Sequence, residues 1–212
     1  MYRLTITLCL SLLCIYSSSA QSWELIYEAP FGVGTNIKDE ILDLCRVGDS
    51  TIWVCGGNGS VPHIAVSYND GESWTDMTEH TPEQVVSRIR AIYFISENFG
   101  LIYPDTGIPE FIFYTENGGQ SWQTANVNLQ NSGPIPSFAI NEVVFKDEHE
   151  GWALREFEPV TLLNTTDGGL NWDIQLQVSN EGKYRNIAYH NEDTLIITTN
   201  EHLVYSYDGG ER

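Results

Sequence analysis

Apolar and polar residues alternate along most of this chain with a period near two rather than the 3.6 of a helix, so the pattern predicts strands. Ile92-Tyr93-Phe94, a polar turn and Gly100-Leu101-Ile102-Tyr103 make one pair, and Val143-Val144-Phe145, the turn KDEHE and Gly151-Trp152-Ala153-Leu154 make the next. Weaker outer copies lie at 42–45 with 52–55 and at 187–189 with 195–197. A third strand is expected at 63–67, 111–115, 159–164 and 202–206, and a fourth from the Trp that follows the first three of these.

The strands are punctuated by an octet. SYNDGESW fills 67–74, TENGGQSW fills 115–122, TTDGGLNW fills 165–172, and SYDGGER at 206–212 keeps the same order up to the place of the Trp. Ser67, Thr115, Thr165 and Ser206 open it; Asn69, Asn117, Asp167 and Asp208 hold its third place; Gly71, Gly119, Gly169 and Gly210 hold its fifth, at intervals of 48, 50 and 41 residues. Trp74, Trp122 and Trp172 close the first three copies. Such recurrence marks a repeat protein. The Asp or Asn side chain is expected to fold back onto backbone N–H groups two residues on, Gly to supply positive φ, and Trp to pack against a neighbouring repeat. Four antiparallel strands per repeat describe the blade of an all-β propeller, here about four blades over residues 21–212.

On these residues the chain resembles the Asp-box, or bacterial neuraminidase repeat, of sialidases, sortilin-like receptors, photosystem II assembly factors and some xyloglucanases. The order of Phe strand, acidic turn, Gly-Trp strand and Asp-Gly-Gly box is most similar to the photosystem II assembly factor branch. The resemblance implies boxes that clasp blade hairpins away from the ligand-binding face. It specifies a fold more sharply than a function. Ser22-Trp23-Glu24-Leu25 matches the start of each fourth strand, which leaves two arrangements open. One is a four-bladed ring whose last blade joins 184–206 with 22–28; the other, which the open box at 206–212 favours, is the first part of a larger propeller.

Composition refines this picture. The 42% hydrophobic and 12% aromatic content suits a globular core. Arg3, an apolar run over 4–16 and Ser18-Ser19-Ala20 read as a cleaved export signal over 1–20, too short to span a bilayer. Its removal takes Arg3 from the 10 Lys+Arg and none of the 29 Asp+Glu, leaving 9 against 29 and a charge of about −20. That field argues against nucleic acid and anionic membrane surfaces as partners. Cys45 and Cys55 remain; with Cys45 set opposite Thr51 they are expected too far apart for a disulfide and are read as buried small residues.

Candidate chemistry falls on the loops opposite the boxes, at 56–62, 104–110 and 155–159, and on the segments 79–88, 126–138 and 178–184. Asp105, Glu110, Arg155, Glu156 and Glu158 are the polar residues there. A pair such as Asp105 with Glu156 would serve glycoside hydrolysis if roughly 5–9.5 Å apart. A sialidase would, by resemblance, need three arginines; Arg88 and Arg90 flank Ile89, Arg46, Arg155 and Arg185 are scattered, and the Arg-Ile-Pro stretch is missing. His63, His80, His149, His190 and His202 are widely spaced, so no metal or cofactor is expected. Asn58-Gly59-Ser60 and Asn164-Thr165-Thr166 have the form of glycosylation acceptors. The reading that follows is an exported, non-enzymatic propeller binding a protein or glycan through its loop face. The alternatives are a secreted glycoside hydrolase with catalytic residues partly outside the chain, and a structural module of a larger cell-surface protein.

Overall fold

A computed structural model describes residues 40–105, 112–128, 140–155, 160–178, 184–191, 194–199 and 203–210. The signal over 1–20 and the segment 22–28 lie outside them. The described chain forms four antiparallel sheets and, apart from a short 3-10 turn at Thr78–His80, contains no helix. The first sheet is β1 (Glu40–Val47), β2 (Thr51–Gly57), β3 (Pro62–Ser67) and β4 (Thr75–Asp76), in that order. The second repeats it with β5 (Ile89–Phe94), β6 (Gly100–Pro104), β7 (Phe113–Thr115) and β8 (Gln123–Thr124). The third begins with β9 (Asn126–Asn128), followed by β10 (Ile140–Phe145), β11 (Gly151–Arg155), β12 (Val160–Thr165) and β13 (Asn171–Val178). Its order is β10-β11-β12-β13-β9. The fourth has β14 (Tyr184–Asn191), β15 (Thr194–Thr199) and β16 (Leu203–Ser206). The first strands β1, β5, β10 and β14 lie side by side in that order, so the sheets are four successive blades of a β-propeller.

Burial explains the pattern of each strand. The second strands of the two interior blades, β6 and β11, are covered on both faces by neighbouring blades and buried throughout, whereas β4 and β8 at the rim are exposed. Three apolar seams result. Trp53, Ile64 and Val66 of the first blade meet Ile89, Ile92 and Phe94 of the second. Leu101 and Tyr103 of the second meet Ile140, Phe145 and Trp172 of the third. Trp152 and Leu162 of the third meet Ile187 and Leu195 of the fourth. Rings bridge the seams: Trp53 stacks on Phe94 at 4.2 Å between centroids, Tyr93 on Phe145 at 4.7 Å and Trp152 on Tyr189 at 6.0 Å. The recurring Gly after the acidic turn is there because of these rings. Gly100 and Gly151 pair directly with Phe94 and Phe145, and a Cβ on either would lie 2.5 Å from the ring.

Two expectations change. Cys45 faces Trp53 rather than Thr51, because Arg46 and Val47 continue the strand and Gly48, at φ +60°, begins the turn. Both cysteines are nonetheless free and buried. Residues 126–128, expected in an inter-blade loop, form β9, which pairs in parallel with β13. Amide hydrogen bonds from Asn126 to Asn171 and from Asn128 to Asp173, each 2.9 Å, hold it there and cover the rim edge of the third blade.

Candidate binding face

The octets and the loops occupy opposite ends of the blades. At the octet end the opening hydroxyl, rather than the Asp or Asn side chain, accepts from backbone N–H groups two and four residues on. Ser67 Oγ accepts from Asn69 N at 3.3 Å and Gly71 N at 2.8 Å, and Thr115, Thr165 and Ser206 repeat this. The third residue reaches four positions on instead, as when Asn69 Oδ1 accepts from Ser73 N at 2.9 Å. Its partner chemistry is matched. Asn69 and Asn117 donate an amide to Ser73 and Ser121, whereas Asp167 accepts the amide of Asn171 at 2.6 Å. Burial pushes the Asp167 carboxyl up, but the bonds from Asn171 and Thr165 outweigh it and leave its pKa below the usual 3.8. The fourth place needs positive φ, met by Gly118, Gly168 and Gly209 and by Asp70 at φ 57°, whose carboxylate Arg46 holds at 2.8 Å. Trp172 and Trp74 close their turns with N–H bonds to Gly169 O and Gly71 O. The first three octets also donate a backbone N–H to the turn between the first two strands, at Ser50 O, Asn98 O and His149 O.

At the loop end, every first strand carries an irregularity in register just before Asp43, Ala91, Glu142 or Asn186. These four residues therefore occupy equivalent places around the centre. An extra residue in a strand bends it and re-aims its side chains. Here it brings Leu42, Asp43, Arg90, Tyr93 and Glu142 around a cavity of about 420 Å³. Asp43 accepts Leu44 N at 2.8 Å and, across the first seam, Ile92 N at 3.0 Å. Glu142 accepts the Asn186 amide at 3.1 Å. Burial raises both carboxyl groups above their usual 3.8 and 4.5, more than these bonds lower them, and the charge of Asp43 adds to the rise at Glu142.

Asp105 sits beside this cavity, between two guanidinium groups. Its Oδ2 lies 3.3 Å from both Arg88 Nε and Arg90 Nε, and Arg88 Nη1 also meets Glu40 Oε2 at 3.0 Å. Backbone contacts fix the arrangement: Asp105 N donates to Arg88 O at 2.8 Å, and Ser87 Oγ donates to Asp105 O. Arg155 ends β11, opposite Ile140 and Thr161, and is fully buried; burial lowers its guanidinium pKa. Glu110, Glu156 and Glu158 lie outside the described residues. His63 is buried with Nδ1 3.2 Å from Thr78 Oγ1, and among the described residues no three His, Cys, Asp or Glu side chains gather as a metal site. Asp43, Glu142 and Asn186 were not singled out from sequence. The one available signal was their shared distance from the acidic turn, and the extra strand residue hides it.

The pKa shifts have a signed consequence. A carboxyl that holds its proton more tightly when folded adds stability at low pH, and loses it as pH rises through and above its unfolded value. The stability of the wild type relative to Glu142→Gln should therefore fall between pH 4 and pH 7, because Gln still accepts the Asn186 amide without titrating. Urea midpoints of the two proteins at both pH values measure this, and a constant difference would contradict it.

No protein-family model matches the chain, and no curated protein matches it. Solved structures do. YCF48 bound to a D1 peptide is similar with a TM-score of 0.56 at 14% identity, covering 79% of this chain and 48% of that one. YCF48 from Cyanidioschyzon merolae is similar with a TM-score of 0.58 at 16% identity, covering 81% and 52%. An ancestral GH74 enzyme is similar with a TM-score of 0.62 at 16% identity, covering 86% and 24%. These likenesses carry the fold, and with the four sheets above they put the chain among the β-propeller proteins. The chain spans about half the length of the two YCF48 chains and about a quarter of the GH74 chain.

Proposed function

We propose that this is an exported, non-enzymatic propeller of the Asp-box type that binds a protein or glycan at the loop end of its central cavity. The observation that carries the reading is the clamp on Asp105. The carboxylate placed best by sequence for hydrolysis is shared between Arg88 and Arg90, which suits a fixed recognition surface better than proton transfer. Export rests on residues 1–20, and a protein partner is supported by the peptide carried by one YCF48 structure. In this reading the blades form a rigid frame, and Arg90, Glu142 and the variable loops supply specificity. Screening the mature protein on glycan and peptide arrays should give ligands whose binding Arg90→Ala weakens, with no turnover.

A second reading has its own support. Burial that raises a carboxyl is the condition for a general acid, and both Asp43 and Glu142 meet it beside one cavity. Hydrolysis of xyloglucan or fluorogenic sialosides by the folded protein, abolished in Glu142→Gln, would establish that reading and overturn the first.

A further inference from the structure

Asn58 and Asn117 are the two asparagines of this chain that glycine follows. Glycine leaves its backbone nitrogen unscreened by a Cβ, so that nitrogen can reach the side-chain amide of the asparagine before it. The structure sets the two pairs apart. Asn58-Gly59 lies in the turn from β2 to β3 at the loop end, with Asn58 half-buried and Gly59, Ser60 and Val61 exposed. Asn58 Oδ1 accepts from Ser60 N at 2.9 Å and from Val61 N at 3.0 Å. The first of these bonds closes a ring that contains both Asn58 Cγ and Gly59 N, so electrophile and nucleophile are held in one small loop. The same two N–H groups meet the oxygen on which negative charge grows when Cγ is attacked. Gly59, at φ +83°, has open space where a Cβ would stand, which gives water access to the turn. Asn117-Gly118 is bound otherwise. Gly118 N donates to Asn98 O at 2.9 Å, in the turn between β5 and β6, and is engaged away from Asn117. The Asn117 amide donates to Ser121 Oγ at 2.9 Å while its Oδ1 accepts from Ser121 N at 2.9 Å. Attack there would first have to break the octet clasp.

We propose that Asn58 is a site of spontaneous covalent modification, converting in the folded protein to aspartate and isoaspartate, and that its octet protects Asn117. Gly59 N loses its proton and bonds to Asn58 Cγ. The Cγ–Nδ2 bond breaks, the amide nitrogen leaves with that proton as ammonia, and a five-membered succinimide remains. Water then opens the ring. Cleavage at Cγ gives aspartate, and cleavage at the main-chain carbonyl gives isoaspartate, which routes the backbone through the former side chain. Either product adds a negative charge, and isoaspartate lengthens the turn by one methylene. The place matters for the binding face. Gly57, next in the chain, packs so tightly that a Cβ on it would lie 3.0 Å from Arg88 Cα and 2.3 Å from Val61 O. The altered turn therefore presses on the residue that helps clamp Asp105.

Prolonged incubation of the whole folded chain in mildly alkaline buffer, followed by peptide mapping with mass spectrometry, tests this. Replacement of NH2 by OH should accumulate at Asn58, with aspartyl and isoaspartyl peptides separated by chromatography. Conversion at Asn58 should be at least about ten-fold faster than at Asn117, because releasing Gly118 N and the Asn117 amide forfeits several hydrogen bonds before attack can begin. It should also quicken as pH rises, since Gly59 N has to give its proton to a base. Parallel samples in guanidinium chloride have neither the turn nor the octet. There the two sites should react at similar rates, and Asn58 no faster than in the folded chain. No conversion at Asn58, equal rates at the two sites in the folded chain, or an Asn58 that reacts faster once unfolded overturns the proposal.

Discussion

Trp172→Ala should lower the unfolding free energy by about 3–5 kcal/mol, the range for truncating a fully buried aromatic side chain. Trp172 fills the seam between the second and third blades, edge-on to Tyr103 at 6.4 Å and to Phe145 at 6.0 Å. Its N–H also closes the octet turn at Gly169 O, 2.8 Å away. Truncation therefore opens a cavity and frees a turn at the same place. Trp74, which closes its own octet with the same N–H bond, is only partly buried and should cost less on the same change. Urea unfolding followed by circular dichroism would compare the two, and equal losses would refute the seam argument.

The second large effect is expected from one oxygen atom. Thr165→Val keeps shape and size but removes the hydroxyl that accepts Gly169 N at 2.9 Å and donates to Asp167 Oδ1 at 3.0 Å. A stranded buried donor costs about 1–3 kcal/mol and a lost bond to a charged group about 1.5–3 kcal/mol. The two belong to one network and overlap, so the expected loss is roughly 3 kcal/mol. Thr165→Ser keeps the oxygen and is the control. A Val variant as stable as the Ser variant in chemical denaturation would show that the hydroxyl bonds contribute little.

The blades were legible in the sequence because both their signals are local. The octet is a turn made by eight adjacent residues, and the alternation of Ile92 to Phe94 with Gly100 to Tyr103 spans a single hairpin. The central cavity was not legible for the opposite reason. Asp43, Glu142 and Asn186 come together from three blades, and in each the strand register shifts just before the residue that matters. The ion pairs around Asp105 likewise join Glu40, Arg88 and Arg90 from two blades. The register of Cys45 was misread because a five-residue polar stretch looked like a turn, while Arg46 and Val47 still paired with Ile52 and Thr51. The role of the octet hydroxyl was misassigned because carboxamide side chains bond turns so commonly.

The bonds across the first seam also bear on how a peptide would be held. The first strand of a blade has one edge without a strand neighbour, and such an edge ordinarily invites an extended segment to add to the sheet. On β5 that invitation is withdrawn. Ile92 N donates to Asp43 and Phe94 N donates to Cys45 Sγ at 3.2 Å, while Cys55 Sγ donates to Ile89 O at 3.4 Å. A peptide lying along this strand finds its main-chain donors already engaged. Recognition of such a peptide would fall to side chains, so that its sequence rather than its extended shape would decide whether it is held.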